Sequence, residues 1–224
     1  MSLRILPDLE QRSEEWYDQR RGMVTASAVG SLITPSTLKV ARNDSSRGLT
    51  ALLVAERITD YTEPTWQSDD MLRGIVDEPR ARERYAEERG VSVTTAGFMV
   101  RDDWGWSLGY SPDGLVGDDG LIEVKCPRAK GHIQTTLAGG VPVHHMAQLQ
   151  AGLLVSGREW VDFVSYCGGL PMWVKRVTRD ERWCKAIVAA VERFEETAAQ
   201  MVADYSKATE GLPATERVVE MEIF

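Results

Sequence analysis

The stretch Ser111–Cys126, SPDGLVGDDGLIEVKC, decides how this chain is read. Two apolar runs, Gly114–Val116 and Leu121–Cys126, flank the turn Gly117-Asp118-Asp119-Gly120, which is the pattern of a β-hairpin. Side chains alternate along a strand, so Glu123 and Lys125 share one face while Val124 points to the core on the other. The hairpin brings Asp113 back beside Glu123. Asp-Gly and Glu-x-Lys also occur on ordinary solvated hairpins, where they do nothing. Here Glu123 and Lys125 interrupt an apolar run that ends in Cys126-Pro127, where an exposed face is not expected, and a Ser-Pro-Asp-Gly turn sets Asp113.

Two carboxylates and a lysine in this pattern suit phosphodiester hydrolysis. That reaction needs a metal to polarise the phosphate and to lower the pKa of an attacking water. Magnesium takes oxygen ligands and only a few protein carboxylates. Asp113 and Glu123 supply two, and the Val124 carbonyl can face the same ion. Lys125 is placed to orient the water or to stabilise charge on the phosphate.

Outward from the hairpin, helices precede a set of strands and one long helix follows. Ser13 caps a helix over EEWYDQRR that ends at Gly22. A second helix is expected from Thr25 or Ser27, with Ala28, Val29, Leu32 and Ile33 on one face. Residues 34–48 read as a polar loop, and Leu49–Thr59 as a helix. The segment DEPRARERYAEERG reads as a helix stopped by Gly90. It has either Asp77 as N-cap and Pro79 in its first turn, or an earlier start near Ser68 with Pro79 inside. Strands follow over SVTTAGFMV, WSLGYS and the hairpin. A helix over His145–Ser156 leads to the strands WVDFVSYC and MWVKRVT, then a helix over Asp180–Tyr205 and a final VVEMEIF that reads as an edge strand or docking tail. This order is α/β in class, and one domain over residues 1–224 accommodates it, with a core spanning roughly residues 10–205.

The chain has 224 residues, 43% hydrophobic and 27% charged, with a formal net charge of −8. No apolar run approaches the ~20 residues that cross a bilayer, and the N-terminus has no secretory pattern. Three separated cysteines, Cys126, Cys167 and Cys184, imply a reduced, intracellular protein. The acidic balance weighs against nucleic-acid binding, but a site that gathers carboxylates for metal can keep its basic residues in a channel. Other features read as structural. The neighbouring His144 and His145 point apart on a helix, Asp118-Asp119-Gly120 is a turn without the remaining ligands of a calcium loop, and Trp104 and Trp106 pack beside a strand.

Pro-Asp, a spacer and Glu-x-Lys form the signature of the PD-(D/E)xK nucleases. Within that superfamily the chain resembles the YqaJ-type viral recombinases, the lambda exonuclease family. The matching blocks are WYDQRRGMVTAS (Trp16–Ser27), GIVDEPRARERY (Gly74–Tyr85), SPDGL (Ser111–Leu115), LIEVKCP (Leu121–Pro127) and HMAQLQ (His145–Gln150), in the family's order. The resemblance implies a restriction-endonuclease-like core, a central mixed β-sheet flanked by helices. It implies that Asp113, Glu123, the Val124 carbonyl and Glu78 hold metal, that Lys125 is the catalytic lysine, and that Gln148 lies near the attacking water. It further implies that Arg20, Ser27 and Ser111 bind the 5′-phosphate of a strand end. Met71 stands where the family puts an apolar wedge between strands, with a buried helix methionine as the alternative reading. Mg2+ is the implied cofactor, as two ions, with Mn2+ able to substitute.

The activity so implied is 5′-to-3′ digestion of one strand of linear double-stranded DNA, leaving 3′ single strands for recombination by annealing. The implied partners are double-stranded DNA ends, a homotrimer ring and a single-strand annealing protein; Lys39, Arg42 and Arg47, in a polar loop outside the matching blocks, are candidates for the channel of such a ring. The implied setting is the cytoplasm of a bacterial host carrying a phage or prophage. Two alternatives share the fold: a structure-specific or restriction-type endonuclease, and a catalytically silent DNA-binding protein. Silence is disfavoured because Asp113, Glu123 and Lys125 are all intact. An iron–sulfur nuclease would need four placed cysteines, and the chain has three.

Overall fold

The computed structural model describes residues 2–64 and 67–217. Its centre is a five-stranded mixed sheet: β4 (Val93–Thr94), β7 (Gly114–Val116), β8 (Gly120–Lys125), β9 (Trp160–Ser165) and β10 (Trp173–Thr178), in the spatial order β10-β9-β8-β7-β4. Only the β8–β9 pair is parallel. Its connection carries α4 (Ala129–Ala138) and α5 (Val143–Ser156), as a parallel crossover requires. A second sheet of three strands has β5 (Phe98–Arg101) between β1 (Leu3–Leu6) and β6 (Leu108–Tyr110). The mixed sheet flanked by helices is the expected fold class. The expected C-terminal edge strand or tail, VVEMEIF, lies outside the described residues.

Alternation along β8 gives the central sheet two different faces. Ile122 and Val124 join Val116 and Val164 in an apolar layer under Ala81 and Tyr85 of α3 (Asp69–Arg89). Leu121 points the other way, with Val161 and Phe163, into the larger core built with α5 and α6 (Glu181–Ala208). Full burial of a residue such as Phe163 or Ile187 contributes about 1.5–3 kcal/mol. Two buried polar residues fix the layers. Asp162 on β9 accepts from Tyr85 Oη at 2.7 Å and from Arg176 Nε and Nη2 at 2.8 and 2.9 Å. Gln150 on α5 accepts from Asp180 N at 2.8 Å and donates to the Thr178 carbonyl at 2.9 Å, tying α5 to the entry of α6.

Several elements differ from the sequence reading, each for a local reason. The helix expected from Thr25 or Ser27 is a short 3-10 turn, Val29–Leu32, followed by a small hairpin of β2 (Ile33–Thr34) and β3 (Lys39–Val40). Thr25 bridges to Gly109 of β6, and Ala26 N donates to the Gly109 carbonyl at 2.8 Å, so this backbone is committed to a sheet. The polar run taken as a loop to residue 48 already contains the first turn of α2 (Asp44–Thr59). Asn43 caps that turn in a reciprocal box with Ser46. Of the two readings around Pro79, the longer holds: α3 starts at the Ser68 cap and keeps Pro79 inside, so Asp77 is not a cap. SVTTAGFMV splits between the two sheets, because Gly97 packs where a Cβ would sit 1.9 Å from the Leu9 carbonyl oxygen. Strand β1 and helix α4 had no counterpart in the sequence reading.

Candidate active site

The register Gly114↔Ile122 sets Asp113 opposite Glu123. Asp113 Oδ2 accepts from the Val124 backbone N at 2.7 Å. Glu123 is 1% exposed and stands on the main-core face of β8. Its Oε1 accepts from Lys125 Nζ at 2.7 Å and also from Gln148 Nε2, which α5 presents from above. Its Oε2 is buried and has no hydrogen-bond partner among the described residues. A buried carboxylate oxygen without a partner is costly. A cation removes that cost, so the donor set fits a hard divalent ion: Asp113, Glu123 and the Val124 carbonyl would hold it, with water completing the shell.

The electrostatics agree with a site whose carboxylates suit a cation. One edge of Asp113 reaches solvent, but the surrounding protein desolvates it, and the charges of Glu123 and Glu78 add to that. Its pKa is raised well above the ordinary carboxylate range. Burial alone would lower Lys125, but the charges of Glu123 and Asp113 outweigh it and raise the ammonium pKa. Tyr110 is raised strongly by burial and then by Glu123 and Asp113. His145, one turn before Gln148, packs against Phe163 with ring centroids 5.3 Å apart. Burial, Lys125 and His144 push its pKa down to about 3, so it is neutral at physiological pH.

Glu78 lines the same small pocket as Asp113 and Gln148, but it is engaged elsewhere. Arg82 holds its Oε1 at 2.7 Å and Arg12 its Oε2 at 3.5 Å. Among the described residues no three His, Cys, Asp or Glu side chains form a group able to hold a metal ion. The structure therefore joins Glu123, Lys125 and Gln148 by hydrogen bonds, sets Asp113 opposite Glu123, and leaves Glu78 nearby on two arginines.

The other expected site residues, Arg20, Ser27 and Ser111, line that pocket of about 160 Å3 too. Helix α1 (Glu14–Arg20), capped by Ser13, presents Arg20 at its last turn. The guanidinium lies over the Trp16 ring, 3.8 Å from its centroid, and Trp16 Nε1 donates to Ser111 Oγ at 2.9 Å. Thr25 Oγ1 is within 3.4 Å of Arg20 Nη2 and 3.2 Å of Ser27 Oγ. Burial pushes the Arg20 pKa down to about 10, so the group stays charged in neutral solution. One cation and three hydroxyls form a cradle for an oxyanion. Sequence reasoning gave Trp16 and Thr25 no role. The available signal was an aromatic four residues before an arginine on a helix, the spacing of a stacked pair.

A larger cleft of about 1170 Å3 opens from the pocket between α1, α2 and α3. Leu52 and Met71 stand exposed on its walls, Met71 at 52%, and Lys125 lies at its base. Lys39, Arg42 and Arg47 do not line it. Arg47 instead pairs with Asp44 and with the Arg42 carbonyl. Trp104 and Trp106 stack at 4.7 Å and pack on the main core. Among the described residues no helix is long and apolar enough to cross a membrane.

The chain is similar to the alkaline exonuclease LHK-Exo of Laribacter hongkongensis, with 34% identity over 90% of this chain and 100% of that one and a TM-score of 0.80. The match to LHK-Exo in complex with dAMP has the same identity and coverage and a TM-score of 0.81. A phage-related exonuclease from Haemophilus somnus 129PT shares the fold, with a TM-score of 0.63 at 12% identity over 82% of this chain and 96% of that one. No curated protein matches the sequence significantly. The model of the YqaJ-like viral recombinase domain matches residues 15–159, which include every block from Trp16 to Gln150. With more than half of its length inside that match, the chain belongs to the YqaJ-like viral recombinase family.

Proposed function

We propose that this chain is a magnesium-dependent exonuclease that digests one strand of linear duplex DNA from its 5′ end. One observation carries the reading: Asp113 and Gln148 line one small pocket with the Arg20–Thr25–Ser27–Ser111 cradle, and beside it Glu123 is hydrogen-bonded to both Lys125 and Gln148. A 5′-terminal phosphate in the cradle leaves the next phosphodiester facing the carboxylates, which is the geometry of end-dependent cleavage. The exonuclease names of LHK-Exo and the Haemophilus protein, and the dAMP bound to LHK-Exo, are in keeping with it.

Asp113, Glu123 and the Val124 carbonyl would hold Mg2+, or Mn2+ in its place. When bound, the ion supplies Lewis-acid polarisation of the phosphate and a more acidic water. Glu78 would join in holding a second ion by giving up its arginine contacts. Lys125 keeps its proton and places positive charge where the phosphorane develops. Gln148 offers an amide to orient the attacking water. Water adds to phosphorus and the bond to the 3′ oxygen of the terminal nucleotide breaks. The released nucleotide leaves with a 3′-hydroxyl, and the shortened strand keeps a new 5′-phosphate for the cradle.

The same reading includes a homotrimer ring and an annealing partner for the 3′ strand, since enclosing the duplex keeps the enzyme on its substrate. The test is digestion of linear duplex with either end chemistry, with magnesium or EDTA, beside a covalently closed circle. Magnesium-dependent release of mononucleotides from linear DNA only, faster from 5′-phosphoryl ends, is expected. Cleavage of the closed circle would make the chain an endonuclease, and binding without release would make it a silent relative. Light scattering during digestion tests the ring: a stable monomer that digests long duplexes processively would overturn it.

A further inference from the structure

Within the cradle Arg20 ends α1 and Thr25 and Ser27 follow it, and the joint between them is Gly22. Thr25 is fixed to β6 through Gly109, and Trp16 is fixed to Ser111. What lies between, residues 21–23, sets where the Arg20 guanidinium stands. Both backbone polar groups of Gly22 are taken by side chains of α2. Gly22 N donates to Glu56 Oε2 at 2.7 Å, and the Gly22 carbonyl accepts from Arg57 Nε at 2.7 Å. The remaining face of Arg57 is a two-point fork onto Glu195 of α6, at 2.7 Å for each bond, with Phe194 under the guanidinium. Gly22 has φ +65°, and a Cβ there would meet Arg57 Cγ at 2.4 Å, so the joint accepts only glycine. Glu56 is 8% exposed, and its charge acts on Arg20 as well, offsetting part of the desolvation that lowers the Arg20 pKa.

From this geometry we infer that Glu56, Arg57 and Glu195 are positioning residues for recognition of the strand end: they hold Gly22 so that Arg20 meets a 5′-phosphate already oriented. None of the three belongs to the oxyanion cradle, and Glu195 lies on a helix that contributes nothing to the pocket lining. Preorganisation removes an ordering cost that would otherwise be taken from phosphate binding. The inference rests on the reading of the cradle as an end-phosphate site. A purely structural staple between α1, α2 and α6 would instead affect stability and every substrate alike.

The test compares wild type, Arg20→Ala, Glu195→Gln, Glu195→Asp and Arg57→Lys. Each is assayed for kcat and KM on linear duplex with 5′-phosphoryl and with 5′-hydroxyl ends, and each is melted. Glu195→Gln is expected to lower kcat/KM on phosphoryl ends about fivefold, mainly through KM, and to change hydroxyl ends by less than about twofold. Glu195→Asp, which keeps the fork, recovers most of the preference. Arg57→Lys loses more of it, and if that variant does not fold, the Glu195 pair still decides the matter. Equal losses on both ends, or an intact preference in every Glu195 and Arg57 variant while Arg20→Ala abolishes it, overturns the inference alone. If wild type has no phosphate preference, or Arg20→Ala slows both ends equally, the cradle reading fails and the inference falls with it.

Discussion

Between Asp113 and Lys125 one two-stranded register is enough to bring the reactive groups together, whereas Arg20, Thr25, Ser27 and Ser111 meet only because separate backbone segments converge. In the hairpin, local turn and alternation place the groups, and burial makes them costly. Glu123 has an unpartnered oxygen and Asp113 a raised pKa. In the cradle each polar group already has a neighbour: Arg20 has Trp16 and Thr25, Ser27 has Thr25, and Ser111 has Trp16. On the proposed function, the hairpin serves chemistry and carries the cost of unbalanced charge, while the cradle serves recognition and is held by long-range contacts. Substitutions should therefore separate rate from selectivity.

The largest expected effect is in the hairpin. Glu123→Gln or Asp113→Ala should lower turnover by about 10³-fold or more, and Lys125→Ala by about 10²–10³-fold, equally on 5′-phosphoryl and 5′-hydroxyl ends. Single-turnover digestion measures this, and near-normal turnover in Lys125→Ala would remove the hairpin from the chemistry. Next comes Arg20→Ala, expected to cost about 10–100-fold on phosphoryl ends, the worth of a charge-assisted contact, and under about threefold on hydroxyl ends. A similar loss on both would erase the division between the two regions.

Two smaller effects concern stability. Tyr85→Phe removes one hydrogen bond to Asp162, which keeps Arg176 as a partner, and should cost about 1 kcal/mol. That corresponds to a fall in Tm of about 2–4 °C for a chain of this size, with end preference unchanged. The smallest effect has the opposite sign. A folded carboxyl with a raised pKa favours the folded state at low pH, and that contribution is lost as pH rises from the unfolded pKa through the folded one. Once pH has risen past the unfolded pKa, Asp113 therefore destabilises the metal-free protein relative to a group with an unshifted pKa. Asp113→Asn, in EDTA, should raise Tm by a few degrees, about what relief of one buried charge gives. Millimolar magnesium should raise the wild-type Tm and leave that of the variant nearly unchanged. A lower Tm for Asp113→Asn in EDTA would show that its bond to Val124 N outweighs the charge cost.

The hairpin was legible in the sequence because its information is local: turn residues, alternation, and two charges where apolar side chains belong. Arg20, Ser27 and Ser111 were legible only through a family pattern, because nothing in TASAVGSLI says that Thr25 will bond to Gly109. The 3-10 turn there and the division of SVTTAGFMV between sheets share that cause: tertiary hydrogen bonds and a close approach at Gly97 overrode local periodicity. Asn43 and Ser46 carried a capping signal that a polar run concealed. Glu78 was legible as a candidate only through the family pattern, and its engagement by Arg12 and Arg82 had no signal, since Arg12 reaches it from a distant loop with φ +74°. The Glu56 and Arg57 contacts to Gly22 had no sequence signal.

The parallel pairing of β8 with β9 has a consequence for how the protein is born. A hairpin such as β7–β8 closes within microseconds of leaving the ribosome, but a parallel partner must wait for the whole crossover through α4 and α5. In the nascent chain Asp113, Glu123 and Lys125 therefore emerge before Gln148, Phe163 and helices α5 and α6, which enclose them in the folded protein. Until Trp160–Ser165 docks, water screens the carboxylates and no shaped pocket can align a phosphodiester. A complete site therefore requires chain up to Ser165, so it can form only late in synthesis.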